Sequence, residues 1–180
     1  MSKVRITRDA ERIKGLHIVE PKAFSDNRGH FMEAYNETEF FQEGLEYRFI
    51  QDNEVFSYKG VLRGFHVNVN HPQAKLVRVV AGEIYDVVID LRKESDTYKK
   101  WFGIHLSATN KKQLYIPEGF GHAYLALEDS VVIFKVTTNY IAGDEVGFAW
   151  NSKDFDIPWP VREPIQNEKD STSSDFSEIF

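Results

Sequence analysis

An all-β fold of sandwich or barrel type, of jelly-roll kind, is predicted for this 180-residue chain. Three observations predict it. Roughly ten short runs of alternating or β-branched residues follow one another at regular spacing, bounded by Gly, Pro, Asn and Asp. A single segment carries a helical stripe. Aromatic residues make up 14% of the chain, with fourteen Phe and eight Tyr, which suits a pleated core or a stacking pocket.

The length fits one domain spanning 1–180, large enough to bury a core without disulfides or a structural metal. The absence of cysteine excludes a disulfide framework, a thiolate nucleophile and a Cys-ligated zinc. No apolar run reaches the length needed to cross a bilayer. Residues 1–14 are charged throughout, without the apolar stretch of a secretory signal. A soluble, cytoplasmic chain is the expectation. The formal net charge of −6 argues against a general nucleic-acid binder, and an anionic ligand would need a local basic cluster.

Taken in order, residues 3–18 form a modest strand candidate. In 24–35, F-S-D-N-R-G-H-F-M-E-A-Y, the Asp26-Asn27 pair and Gly29 predict a turn, after which Phe31, Glu33 and Tyr35 alternate with Met32 and Ala34. Arg28 and Glu33 flank that turn, and the segment alone predicts a surface ion pair. Residues 37–45 form the helix candidate, with Thr38 as cap and Phe40, Phe41 and Leu45 as apolar stripe. Residues 47–57 return to strand character, and their Gln51-Asp52-Asn53 run reads as a bulge or turn. Residues 76–92 read as a hairpin that turns at Gly82. Strands follow at 101–106 and 113–116, around a turn at 107–112. The P-E-G-F-G-H run, 117–122, is a loop that delivers a histidine to the next strand. In 131–137, Val132, Phe134 and Val136 share a face. Residues 141–145 are a turn and 146–150 a short strand. Pro158, Pro160 and Pro164 then make the chain irregular, and 166–180 has the polar composition of an unanchored tail.

The groups able to move protons are His66, His122, Lys75, Asp86 and Asp170, with several tyrosines. Lys75, Val77 and Val79 share one strand face, and Ile84, Asp86, Val88 and Asp90 share another. Such groups on short apolar strands are either solvated edges or point into a lined pocket. A lone strand histidine is more often packed or exposed than catalytic.

A metal site is the first test. Pro117-Glu118-Gly119 with His122 resembles the second motif of cupin-type proteins, P-x-G-x-x-H, and Gly60 with His66 resembles the start of the first. Metal-binding cupins place two histidines one residue apart, then a glutamate and a later histidine. Here Asn68 stands two residues after His66, so two histidines map where three or four ligands are needed. The expectation is a cupin-like jelly roll, or double-stranded β-helix, with one or two short helices and no metal. A metal-free pocket of His, Lys and Asp suits proton abstraction beside a carbonyl. Histidine is the base, lysine meets the developing enolate oxygen, and a carboxylate orients the imidazole. Inverting a carbon also needs an acid on the opposite face.

The motifs G-V-L-R-G-F-H, A-K-L-V-R-V-V-A-G-E-I-Y-D-V-V-I-D-L-R, Q-L-Y-I-P-E-G-F-G-H and N-E-K-D, with D-N-R-G-H-F-M-E and Q-D-N upstream, stand in one order over about 16–170. Together they closely resemble the dTDP-4-dehydrorhamnose 3,5-epimerase family. The resemblance implies a homodimeric jelly roll that acts without cofactor on a nucleoside-diphosphate 4-keto-6-deoxy sugar, in deoxysugar and surface-polysaccharide biosynthesis. It implies His66 as general base, Asp170 as its paired carboxylate and Lys75 near the sugar ketone. It implies substrate and nucleotide contacts for Arg28, Glu33, Gln51, Asp52, Asn53, Arg63, His122, Glu145 and Lys169, and base stacking for Tyr140. Arg28, Arg63 and Lys169 would supply the basic cluster that an acidic chain requires. On this reading the 166–180 tail contributes Asp170 to the single domain.

The chain departs from the family at one position. The family reads Y-K-x-T where this sequence has Phe134-Lys135-Val136-Thr137, and that tyrosine is the acid opposite the histidine. Three readings follow: inversion at carbon 3 alone, migration of the keto group between carbons 3 and 4, or a replacement acid among Tyr115, Tyr124 and Tyr140. A proline that usually follows Tyr140 is also missing, since the turn reads Ile141-Ala142-Gly143-Asp144-Glu145. The alternatives to an epimerase of carbon 3, with or without carbon 5, are a 3,4-ketoisomerase and a catalytically silent sugar-nucleotide binding protein.

Overall fold

The alternating runs fold as strands in a computed structural model that describes residues 3–45 and 47–180. In chain order these are β1 (Val4–Thr7), β2 (His17–Pro21), β3 (Ala23–Asp26) and β4 (Gly29–Met32). Helix α1 (Glu37–Gln42) follows, then β5 (Gln51–Ser57), β6 (Leu62–Asn68), β7 (Lys75–Ala81) and β8 (Glu83–Asp90). Next come β9 (Trp101–Ser107), β10 (Gln113–Ile116), β11 (Phe120–Ala126), β12 (Ser130–Val136), β13 (Glu145–Gly147) and helix α2 (Glu168–Ser171).

Six strands join in the order β1-β2-β10-β7-β12-β5 and five in the order β13-β6-β11-β8-β9, while β3 and β4 form a separate hairpin. The two large sheets face each other as a jelly roll. Val77, Val79 and Val132 of one sheet pack on Ile84, Val88 and Leu106 of the other, because alternation sends every second side chain inward. No helix among the described residues is long and apolar enough to cross a membrane.

The connection at Gly82 is a corner and not a hairpin. Strand β7 pairs with β10 and β12, whereas β8 pairs with β11 and β9 in the opposite sheet. Gly82 has φ +74°, and a Cβ there would lie 2.4 Å from the Asp129 carbonyl oxygen. A single left-handed glycine thus passes the chain from one wall to the other.

Three further expectations change. Gln51-Asp52-Asn53 is regular strand in continuous register with Val136, Lys135 and Phe134. Helix α1 is capped by Asn36, whose side chain accepts from the Glu39 N–H, and Thr38 lies inside the helix. The C-terminal segment is anchored. Asn167 caps α2 by accepting from the Asp170 N–H, and buried Phe176 packs edge-on against Phe148 and Phe155. One aromatic anchor and one cap outweigh a polar composition, most of whose other side chains face water while Asp170 is buried.

Candidate active site

A cavity of about 420 Å³ opens between the sheets, a size suited to a small ligand. On the six-stranded wall strand parity selects its lining. Gln51, Asn53 and Val55 point in from β5, Lys75 and Val77 from β7, and Val132 and Phe134 from β12. The five-stranded wall supplies Arg63, His66 and Asn68 from β6, His122 and Tyr124 from β11, and Glu145 from β13.

His66 is held from behind. Its Nε2 lies 2.7 Å from Asp170 Oδ1. Asp170 Oδ2 accepts the Gly64 N–H at 3.1 Å, so the buried carboxylate is fixed at both oxygens. Gly64 has φ +103°, and a Cβ there would lie 2.4 Å from the His122 carbonyl oxygen. Only glycine lets β6 and β11 close to this spacing. Burial pushes the Asp170 carboxyl up, but the His66 and Gly64 bonds outweigh it and hold it below the usual range. An ionised Asp170 accepts from Nε2–H, which leaves the Nδ1 lone pair directed away from it. Nδ1 stands 3.5 Å from Glu145 Oε1, beyond an ordinary hydrogen bond.

Glu145 also receives a 2.9 Å bond from Lys169 Nζ. Burial raises its carboxyl, while the His66 charge, Lys169 and Lys75 lower it further, so it too stays below the usual range. Burial lowers the Lys75 ammonium against the opposing pull of Glu145 and Asp86. His122 Nε2 bonds Asp86 Oδ1, while the other carboxylate oxygen of fully buried Asp86 has no hydrogen-bond partner. The cavity therefore has two imidazole–carboxylate pairs on its five-stranded wall and a desolvated lysine facing them from the six-stranded wall. Such a set can remove a proton, orient the base and meet negative charge as it develops.

Tyr140 stands at the mouth, 67% exposed, with its N–H donated to Gln51 Oε1 at 3.2 Å. Gln51 in turn bonds Asn53 at 2.7 Å.

A family model described as dTDP-4-dehydrorhamnose 3,5-epimerase matches residues 10–178. The chain belongs to that epimerase family. An epimerase of this name from Methanothermobacter thermautotrophicus is 48% identical over 162 residues, covering 88% of each chain. The Bacillus anthracis enzyme, solved with TDP and PPi bound, superposes with a TM-score of 0.92 at 39% identity, over 96% of this chain and 99% of that one. A dTDP-6-deoxy-D-glucose-3,5-epimerase from Legionella pneumophila, solved with dTDP-4-keto-L-rhamnose, gives 0.92 at 36% identity, over 98% and 95%. This member of the epimerase family is accordingly an isomerase with the cupin-like jelly roll expected from its motifs.

Not every residue singled out in the sequence of this epimerase reaches the cavity. Asp52 faces the opposite side of the six-stranded sheet and pairs with Lys135 at 3.0 Å, since its parity on β5 is odd to Gln51 and Asn53. Arg28 does not line the cavity; it sits in the β3–β4 turn, bonded to Asp26 at 2.6 Å. Glu33 pairs with Lys3 at 2.7 Å rather than with Arg28. Tyr115 faces outward, buried with Leu76 and stacked on Tyr47 at 4.6 Å. Asp170 and Lys169 act from behind the lining. Sequence reasoning missed Asn68 and Gln73 as lining residues. The signal was present, since each lies two residues from a singled-out residue, His66 or Lys75, on the same parity. Among the described residues, no three His, Asp or Glu side chains converge in the manner of a metal site.

Proposed function

We propose that this chain epimerises a nucleoside-diphosphate 4-keto-6-deoxy sugar, using His66 as base, Asp170 as its orienting carboxylate and Lys75 at the ketone. The observation that carries the reading is the 2.7 Å His66–Asp170 bond, which turns one imidazole nitrogen toward the carboxylate and frees the other for substrate. His66 removes the proton beside the ketone, and the electron pair moves onto the keto oxygen. Lys75 meets that oxygen at a desolvated position, where its charge acts most strongly. Arg63, Gln51, Asn53 and His122 line the same space and suit the sugar and diphosphate. Tyr140, exposed at the mouth, suits stacking on the base. Thymidine is the favoured base, because the Bacillus and Legionella relatives are solved with TDP and a dTDP-sugar.

Phe134 favours inversion at carbon 3 before carbon 5, since its ring lines the cavity but carries no proton. The chain is read as one catalytic domain over 1–180, with its 166–180 segment supplying Asp170 and Lys169. It is further read as a cytoplasmic homodimer. Exposed Phe24 and Phe31 on the β3–β4 hairpin, and Phe56 and Tyr58 by edge strand β5, are apolar surface that a second copy would cover. Across such an interface Arg28 and Glu33 could serve a partner's cavity. Light scattering of the purified chain tests the dimer, and a monomer would exclude it.

Proton NMR in deuterated water with dTDP-4-keto-6-deoxyglucose tests the activity. Deuterium entering carbon 3, abolished by His66→Asn, is expected. No deuterium at carbon 3 or 5, with dTDP and GDP forms both tried, would overturn the reading.

A further inference from the structure

The position that supplies an acid elsewhere in the family is occupied here by Phe134, so the proton for the face opposite His66 must come from another group. The cavity lining holds two tyrosines, Tyr124 and Tyr140. Tyr140 is largely exposed at the mouth, whereas Tyr124 is buried. Tyr124 rises from β11 in the five-stranded wall, yet its hydroxyl ends 2.9 Å from Ser57 Oγ on β5 of the six-stranded wall. Its ring packs in the same apolar cluster as Phe134.

We infer that Tyr124 is the acid of this enzyme, a catalytic residue that delivers a proton to the substrate carbon from the side opposite His66. This deepens the epimerase reading and rests on it.

The hydrogen-bond inventory around the phenol supports the direction of transfer. Arg63 Nε donates to Ser57 Oγ at 3.0 Å, and Arg63 Nη2 donates to the Phe56 carbonyl at 3.2 Å. With one Ser57 lone pair taken by arginine, the serine hydroxyl is free to donate to Tyr124 Oη. The phenolic O–H then points away from serine into the cavity. The chain Arg63, Ser57, Tyr124 runs from a fixed positive charge to a donor. When Tyr124 gives up its proton, the phenolate accepts from Ser57 with the Arg63 charge behind it. Burial raises this phenol, helped by the Asp86 charge, and outweighs the Ser57 bond and the Arg63 charge that lower it, so the group is protonated at neutral pH.

The step balances. The C–H bond beside the ketone breaks, its proton goes to His66 and its electron pair makes the enolate. The enolate carbon takes the Tyr124 proton on the other face, the carbonyl reforms and tyrosine is left as phenolate. Imidazolium and phenolate return to their starting forms by exchange with solvent.

Deuterium uptake and epimer formation are measured together by NMR for wild type and Tyr124→Phe. Tyr124→Phe is expected to keep exchange on the His66 face while epimer formation falls by about 10²-fold or more. In a second chain, 3,5-difluorotyrosine replaces Tyr124. A more acidic phenol should move the alkaline limb of kcat/KM to lower pH with the fold unchanged. Epimer formation by Tyr124→Phe within about twofold of wild type, or an alkaline limb that stays in place, would overturn the assignment. A wild type that takes up no deuterium would overturn the epimerase reading and this one together. A wild type that exchanges and inverts, beside a Tyr124→Phe chain that inverts equally, would overturn the Tyr124 assignment alone.

Discussion

Asp170→Asn isolates what the carboxylate behind His66 does. Asp170 Oδ2 accepts the Gly64 N–H and Oδ1 faces His66 Nε2. The asparagine carbonyl can keep the Gly64 bond, which protects the fold. Its amide then presents a donor to Nε2, so the imidazole must hold its proton on Nδ1, on the cavity side. The base loses its lone pair where the substrate C–H arrives. A charge-assisted hydrogen bond is worth about 1.5–3 kcal/mol, or roughly 10- to 100-fold in rate. The reversed tautomer adds to this, and comparable replacements in His–Asp pairs cost on the order of 10⁴ in kcat. The expected loss is therefore about 10²–10⁴ in the rate of deuterium entry, with substrate affinity nearly unchanged. Exchange by NMR at saturating substrate, with thermal unfolding run in parallel, measures both. An Asp170→Asn chain that unfolds at the wild-type temperature and exchanges within about fivefold of wild type would refute the argument.

Other perturbations separate charge, packing and pH. Lys75→Met should lower kcat by about 10²–10³ with nucleotide binding largely retained, because a desolvated cation at the enolate oxygen is lost; titration with dTDP beside the exchange assay checks it. Phe134→Tyr restores a phenol on the six-stranded wall and should add or speed inversion at a carbon, read from the product stereochemistry. Asp90 is fully buried, and its carboxyl is held at about 2 against an ordinary 3.8, since burial raises it less than Arg92, Thr97 and Ser95 lower it. That difference stabilises the fold by about 2 kcal/mol above pH 4, and the contribution disappears as pH falls through about 2. The stability gap between wild type and Asp90→Asn should accordingly be full at pH 7 and shrink in acid, as urea titrations would show. Phe176→Ala should cost about 3–5 kcal/mol of stability by emptying the site against Phe148 and Phe155; a change in urea midpoint too small for this would mean the C-terminal segment is not anchored there.

Alternation made the strands legible, and with them the faces of β7 and β12 that line the cavity. What alternation does not encode is which sheet a strand joins. Gly82 announces a change of direction, and the same glycine would serve a hairpin or a corner. The distinction lies in the Asp129 and Ser130 backbone, which comes from a distant strand. Short strands without alternation hide their faces too. All four residues of β10 are buried, so nothing in Q-L-Y-I shows that Tyr115 points away from the cavity. Asp52 was legible in principle, because its parity follows once 51–57 is regular strand; three adjacent polar residues concealed that regularity. Asp170 was the least legible from residues alone. It lies in a polar segment, and only the His66 contact across 104 residues gives it meaning. The family motifs supplied that pairing, and the fold supplied the reason in Gly64 and the Asn167 cap.

That separation of 104 residues between His66 and Asp170 bears on biosynthesis. Translation completes β5 through β13, with every cavity-lining residue, before Asp170 leaves the ribosome. A nascent chain thus owns its groove before it owns the carboxylate that sets its imidazole, so ligand capture matures ahead of turnover. Proteolytic clipping between Pro164 and Asn167 would return the finished protein to that juvenile condition. The product would lose the Phe176 anchor together with Asp170, so its groove would lack both the oriented base and part of the packing that holds it.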